Sequence, residues 1–234
     1  MILLLNIPGT PCQIVQDTIT AALKPTKVLQ AGAPVELIYH TDQELAQADL
    51  LVARMGYRLA RRLGPDVATI VFLRDPVTRV AAHYEELSQP RPDAAGEDTL
   101  FRPRGHTLEQ MLSNRYDPAT VESLINLQTY ALHSDFWFAS RTALKGVSDE
   151  ELLTQAKANL EQVTFVGIVE RMEESLRRLC AHFGWPPPDT TAVSTAVTQP
   201  EVSPDLASLI REQNPLDVAL YEDAIRLFEA RDSA

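Results

Sequence analysis

Residues 72–84 read Phe72-Leu73-Arg74-Asp75-Pro76-Val77-Thr78-Arg79-Val80-Ala81-Ala82-His83-Tyr84, and this stretch joins three structural signals without a gap. An apolar run, 67–73, ends at an arginine. Asp75-Pro76 follows, an acceptor side chain at a helix N-cap with proline at the first helical position, where its missing N–H costs nothing. An amphipathic helical pattern then begins. A strand that gives out at Arg74 and turns directly into a helix is a building unit of a parallel α/β sheet, and the carboxyl ends of such strands are where open sheets bind ligands. A guanidinium there can grip a phosphate through two parallel bonds. Its structural alternative is an ion pair with Asp75 or another carboxylate.

The same alternation extends along the chain. MILLLNI (1–7), VELIYH (35–40), LLVA (50–53), VATIVFL (67–73) and VTFVGIV (163–169) read as strands. Several are continuous apolar runs, as expected of strands covered on both faces. The intervening segments can carry crossover helices with right-handed connections. The fold class is therefore α/β, a parallel sheet flanked by helices. Asp117-Pro118, Ser203-Pro204 and Asn214-Pro215 repeat the cap-then-proline start of Asp75-Pro76. Ser148 with Glu151 and Thr107 with Gln110 have capping-box spacing. In the last helix, Val218, Tyr221, Ile225 and Phe228 form one stripe, the spacing of a face packed on a core.

Two stretches are irregular. Residues 89–106 carry three prolines, two glycines and three arginines, and a loop of that length in a compact domain reads as a lid, a binding loop or a disordered segment. Residues 185–204, rich in proline and threonine, cross the surface before two C-terminal helices within 203–231. No internal repeat is evident. One domain over 1–234 is the simplest organisation.

Composition bounds the function. At 234 residues, 45% apolar and 23% charged, the chain can bury a full core. A formal charge of −11 argues against a nucleic-acid surface, but leaves room for a small anion held by a few local arginines. Cys12 and Cys180 make neither a disulfide framework nor a metal cluster and read as reduced thiols. The apolar start at Met1 is too short, and lacks the basic residue, for a signal core. Nothing elsewhere approaches a membrane span. A cytoplasmic protein is expected.

The first strand leads through Ile7-Pro8-Gly9-Thr10-Pro11-Cys12-Gln13 into a helical pattern. A strand, a tight turn and a helix N-terminus can cradle an anion. Neither GxxxxGK[ST] nor GxGxxG is present, which argues against an ATP-hydrolysing loop, a nucleotide kinase and a dinucleotide fold.

LRDPVTRVAAHYEEL (73–87) resembles the 3′-phosphate-binding segment of sulfotransferases related to the carbohydrate 2-O-sulfotransferases. IPGTPCQIV (7–15) stands where that family has an IPKTxGTS-like loop for the 5′-phosphosulfate. ADLLVARMGYRLARRL (48–63) resembles the stretch whose usual form is close to GHFGYGL. INLQTYAL, VTFVGIVERMEESLRRLCAHFGW and NPLDVALYEDAIRLF resemble the later helices and last strand, in the family's order. The resemblance implies a sulfotransferase-like P-loop fold and 3′-phosphoadenosine 5′-phosphosulfate (PAPS) as donor. It implies in-line sulfuryl transfer to a hydroxyl or amine on a small-molecule or carbohydrate acceptor, with no metal required. Gly9, Thr10, Cys12, Gln13, Arg74 and Ala82 then fall on nucleotide-binding positions.

Departures from the family pattern are concentrated at those positions. The loop lysine is Gly9, and a lysine restored there is expected to strengthen phosphosulfate binding. Gly-Thr-Ser is Cys12-Gln13-Ile14, and Pro11 removes a backbone donor. The 3′-phosphate serine is Ala82. The histidine of GHFGYGL is Arg54, which stays protonated and is a poor general base. Arg74 is the clearest ligand-binding position left. Arg54 and His106 are the candidate catalytic groups, with Arg102 and Arg104 able to close over a donor. His83 reads as a helix-surface histidine with no role, His40 and His133 as structural, and Glu85, Glu86, Arg61 and Arg62 as solvated surface. Two functions stay open, a PAPS-dependent sulfotransferase and a binding or scaffolding protein that has kept the fold and lost catalysis.

Overall fold

In a computed structural model of the chain, the described residues are 1–32, 37, 40–89, 105–114, 118–134, 144, 146–191, 193, 197 and 199–231. Their elements run β1 (Ile2–Leu5), α1 (Cys12–Leu23), β2 (Val28–Ala31), α2 (Asp42–Ala46), β3 (Leu50–Ala53), α3 (Arg58–Leu63), β4 (Ala68–Leu73) and α4 (Pro76–Ser88). They continue with α5 (Leu108–Asn114), α6 (Pro118–Leu124), α7 (Leu127–His133), α8 (Asp149–Gln162), β5 (Phe165–Ile168), a short 3₁₀ turn at Val169–Arg171, α9 (Met172–His182), α10 (Pro204–Gln213) and α11 (Pro215–Ala230). The five strands form one sheet in the order β2-β3-β1-β4-β5. Every pairing in it is parallel.

Alternate side chains of the strands enter two cores. Leu3, Leu5, Leu51, Val71, Leu73, Val166 and Ile168 meet α7, α8 and α11 on one face. Ile2, Leu4, Leu50, Val52, Ile70, Phe72 and Phe165 meet α1 and α9 on the other. Burial on both faces is why these strands are continuous apolar runs in the sequence. Outside the sheet, Val77, Val80 and Ala81 of α4 pack with α5, α6 and Ile210 of α10 in a separate helical layer. Among the described residues no helix is long and apolar enough to cross a membrane.

The second strand differs from expectation. It is Val28–Ala31, paired to β3. Most of 35–40 lies outside the described residues; Leu37 is helical and its carbonyl accepts the His40 amide at 3.1 Å. Val28–Ala31 escapes a search for apolar runs because it is an edge strand, exposed at Val28 and Gln30 and buried only at Ala31. The last helix is also rotated from its expected face. Leu216, Leu220, Ala224 and Phe228 are buried, while Val218, Tyr221 and Ile225 flank them half-buried.

Helix starts follow local chemistry where an acceptor is at hand. Asp75 accepts from the amides of Val77 and Thr78, and Ser203 caps α10. Ser148 with Glu151 and Thr107 with Gln110 form reciprocal capping boxes. Asp117 lies outside the described residues. Asn214 does not cap its own helix. Its Oδ1 accepts the Asn126 amide at 2.7 Å, and Asn126 Oδ1 in turn accepts the amides of Leu216 and Asp217 at 3.1 and 3.2 Å. Asp217 completes the exchange by accepting from the amides of Gln128 and Thr129. The N-termini of α7 and α11 thus cap each other across the core, meeting the orphan amides that every helix start leaves.

Candidate functional site

The chain leaves β1 toward β2 on one side of the sheet and leaves β4 toward β5 on the other. The carboxyl ends of β1 and β4 therefore flank the point where strand order reverses, the usual ligand crevice of an open α/β sheet. The turn after β1 carries Gly9, and the end of β4 carries Arg74. A direct bond spans the crevice, with Arg74 Nη1 donating to the Gly9 carbonyl at 2.8 Å.

Arg74 is held from several sides. Gln128 of α7 accepts its amide and donates to its carbonyl, both at 2.9 Å, and its side chain is only 3% exposed. Burial lowers the guanidinium pKa, and the carboxylates of Glu170, Glu86, Glu85 and Asp75 act against that shift.

The turn after β1 satisfies much of its own polar chemistry. Both the Thr10 amide and the Thr10 hydroxyl donate to the Ile7 carbonyl, at 3.1 and 2.7 Å. The Cys12 amide donates to Thr10 and the Ile14 amide to Pro11. Pro8 and Pro11 have no N–H to offer. Gln13 turns along the exposed side of α1 to Asp17. Gly9 has a φ of +84°, and a Cβ there would lie 2.4 Å from the Arg79 carbonyl oxygen and 3.1 Å from His83 Cβ. The restored lysine is thus excluded by backbone, because α4 occupies its place.

Beside this contact stand Cys12, Arg54, His83 and Glu86. Burial pushes the Cys12 thiol up to about 12 against the pull of Arg54, so it is not a ready nucleophile. His83, expected on the helix surface, is only 3% exposed, because α4 turns it onto the Gly9 turn. Its Nδ1 lies 3.4 Å from Glu86, and its Nε2 is buried without a hydrogen-bond partner. Burial lowers its pKa, with Glu86 opposing and Arg79 and Arg54 assisting. Arg54 follows β3, its amide bonded to Ala31 of β2. Ala82 is buried on α4 and offers no hydroxyl.

His106 is anchored elsewhere on α4, where the Tyr84 hydroxyl donates to its carbonyl at 2.7 Å. Tyr84 follows His83 directly, but packs against the separate helical layer instead of the Gly9 turn. Arg102 and Arg104 lie outside the described residues. The structure thus joins Gly9, Arg74 and His83, with Cys12 and Arg54 beside them.

Sequence reasoning missed four participants. Arg79, fully buried, donates to the Leu124 carbonyl and stands 3.8 Å from the buried Asp217 carboxylate. Burial pushes its pKa down to about 10, with Asp217 opposing. Gln128 clamps Arg74. Glu170 accepts from the Asp75 amide and Thr78 hydroxyl, each at 3.0 Å, and from the Tyr221 hydroxyl at 2.6 Å. Only an arginine one helical turn into a buried face gave any advance signal.

No family model matches the sequence, and no curated protein matches it. Among solved structures, the chain is similar to the crystal structure of a sulfotransferase from Alicyclobacillus acidocaldarius. The TM-score is 0.49 and the identity 15%, with 96% of this chain and 95% of that one covered.

Proposed function

We propose that the chain is a sulfotransferase-like binding protein that does not transfer a sulfuryl group by the chemistry its motifs resemble, and that Arg74 is its remaining ligand-directed group. The observation that carries this reading is the seat of Gly9. Its backbone conformation and the Arg79 carbonyl leave no place for a lysine, and its own carbonyl takes the Arg74 guanidinium. The amides of Thr10, Cys12 and Ile14 are bonded within the turn, so those three donors are spent before a phosphosulfate arrives. Losing one such donor typically costs about 10²–10³ in rate, and Arg54 cannot supply a general base.

Arg74 stands where the resemblance places the 3′-phosphate. A 3′-phosphorylated nucleotide that displaces the Gly9 carbonyl from Arg74 would gain a charge-assisted bond. A second reading, an active transferase in which Arg54 neutralises the sulfonate, is favoured by the proximity of Arg54 to Cys12 at the start of α1. The test is release of 3′-phosphoadenosine 5′-phosphate from PAPS across a panel of sugars, phenols and amines, alongside calorimetry with adenosine 3′,5′-bisphosphate. No turnover, with binding that Arg74→Ala abolishes, is the expected result. Turnover near 1 s⁻¹ or faster, ordinary for an enzyme, would overturn it in favour of the second reading.

A further inference from the structure

Glu170 is the second residue beyond β5, at the same carboxyl edge of the sheet as Arg74. Three elements hold its carboxylate. One oxygen accepts from the Asp75 amide in the turn after β4 and from the Thr78 hydroxyl in the first turn of α4, and the other accepts from Tyr221 of α11. It cannot swing aside without giving up three hydrogen bonds. Burial and the Glu170 carboxylate together drive the Tyr221 phenol pKa upward, which keeps this donor protonated. Among the carboxylates that act on the Arg74 guanidinium, Glu170 comes first, ahead of Glu86, Glu85 and Asp75.

An anion brought to Arg74 therefore meets a positive charge already answered by a fixed negative one. The penalty grows with ligand charge and falls with distance. A phosphate dianion at Arg74 feels it most, and a phosphate at the far end of a nucleotide feels it less.

We propose that Glu170 is the specificity-determining residue of this crevice, a fixed carboxylate that discriminates against a phosphate dianion at Arg74. This rests on the reading of Arg74 as the ligand-directed group. It sets how much of the Arg74 charge a 3′-phosphate can use: in the protein as it stands, the 3′-phosphate of adenosine 3′,5′-bisphosphate gains less at Arg74 than an unopposed guanidinium would give.

The experiment is calorimetry with those two nucleotides on the unmodified protein, Glu170→Gln, and Arg74→Ala with Glu170→Gln. Glutamine keeps an acceptor for Asp75 and Thr78, and Glu170→Ala serves if the glutamine form does not fold. Glu109→Gln makes the same charge change at an exposed position of α5. Glu170→Gln should strengthen bisphosphate binding about tenfold, the scale of one added charge contact in a partly solvated site. The monophosphate should change by less than about threefold, and Glu109→Gln should match the unmodified protein. The double variant should lose the gain. The proposal is overturned if Glu170→Gln strengthens both nucleotides equally, strengthens neither, or keeps its gain without Arg74. Turnover of PAPS by the unmodified protein would remove the non-catalytic reading alone, because the Glu170 comparison measures binding and not transfer.

Discussion

Two strand-to-helix turns meet at the centre of the sheet, one after β1 and one after β4, and they resolve the same geometric problem differently. After β4, Asp75 caps α4 with its side chain, and Pro76 sits where no N–H is needed. That turn leaves the Arg74 side chain to reach across the crevice. After β1, Pro11 occupies the N-cap of α1 and no side chain caps the helix. The turn instead closes on itself through Ile7, Thr10 and Pro11, and accepts Arg74 on its Gly9 carbonyl. Equivalent topology thus gives one turn that projects a charge and one that consumes it. A strand–turn–helix unit is a potential anion site only while its amides remain unspent.

The largest expected effect strikes at what supports the β4 side. Asp217→Ala should destabilise the protein by about 3–5 kcal/mol in chemical denaturation, because it strands the buried Arg79 charge. It also removes the acceptor for the amides of Gln128 and Thr129. Adding Arg79→Met should recover part of the loss. A change below about 1 kcal/mol would mean that the buried pair does not support α4.

The β1 side should break at Gly9. Gly9→Lys is expected to cost about 2–4 kcal/mol, from positive φ and from the clash with the Arg79 carbonyl. It should bring no affinity for a phosphosulfate analogue. A stable Gly9→Lys protein that binds PAPS more tightly would show that the turn opens readily and would erase the contrast between the two turns.

Acidification probes the contact between the sides. His83 is held neutral by burial, so its folded pKa lies below the unfolded value of about 6.5. Between those two values the unfolded chain binds the proton and the folded one does not. Stability is therefore complete above about pH 6.5 and falls as the pH drops below it. His83→Gln should flatten that slope by up to about 1.4 kcal/mol per pH unit, leaving the same-direction contribution of half-buried His133 in place. An unchanged slope would place His83 in contact with solvent.

The smallest effect sharpens the capping difference. Asp75→Ala should cost about 1 kcal/mol, whereas Pro11→Ala should cost less, since no cap bond is lost there. Equal costs for the two would show that the Asp75 cap contributes nothing beyond the backbone.

Much of the fold was legible because it is written in local patterns. LLVA became β3 residue for residue, and MILLLNI, VATIVFL and VTFVGIV contain β1, β4 and β5. Asp75, Ser148 and Ser203 cap helices as their spacing predicts. Val28–Ala31 was not legible, because an edge strand needs no continuous apolar run. Asn214 resembled an ordinary cap, and its true partner, Asn126, lies 88 residues away.

By itself, then, the sequence determined the α/β class, four of the five strands and the strand-end position of Arg74. These depend on residue type and short spacing alone. Only the tertiary structure decided what the remaining groups face. It set the Arg74 guanidinium on the Gly9 carbonyl, filled the space beside Gly9 with the Arg79 backbone, answered buried Arg79 with Asp217, and fixed Glu170 beside the crevice. Each of these pairs residues 65 or more positions apart in sequence, and such pairs are set by how helices pack on the sheet, which no local pattern records.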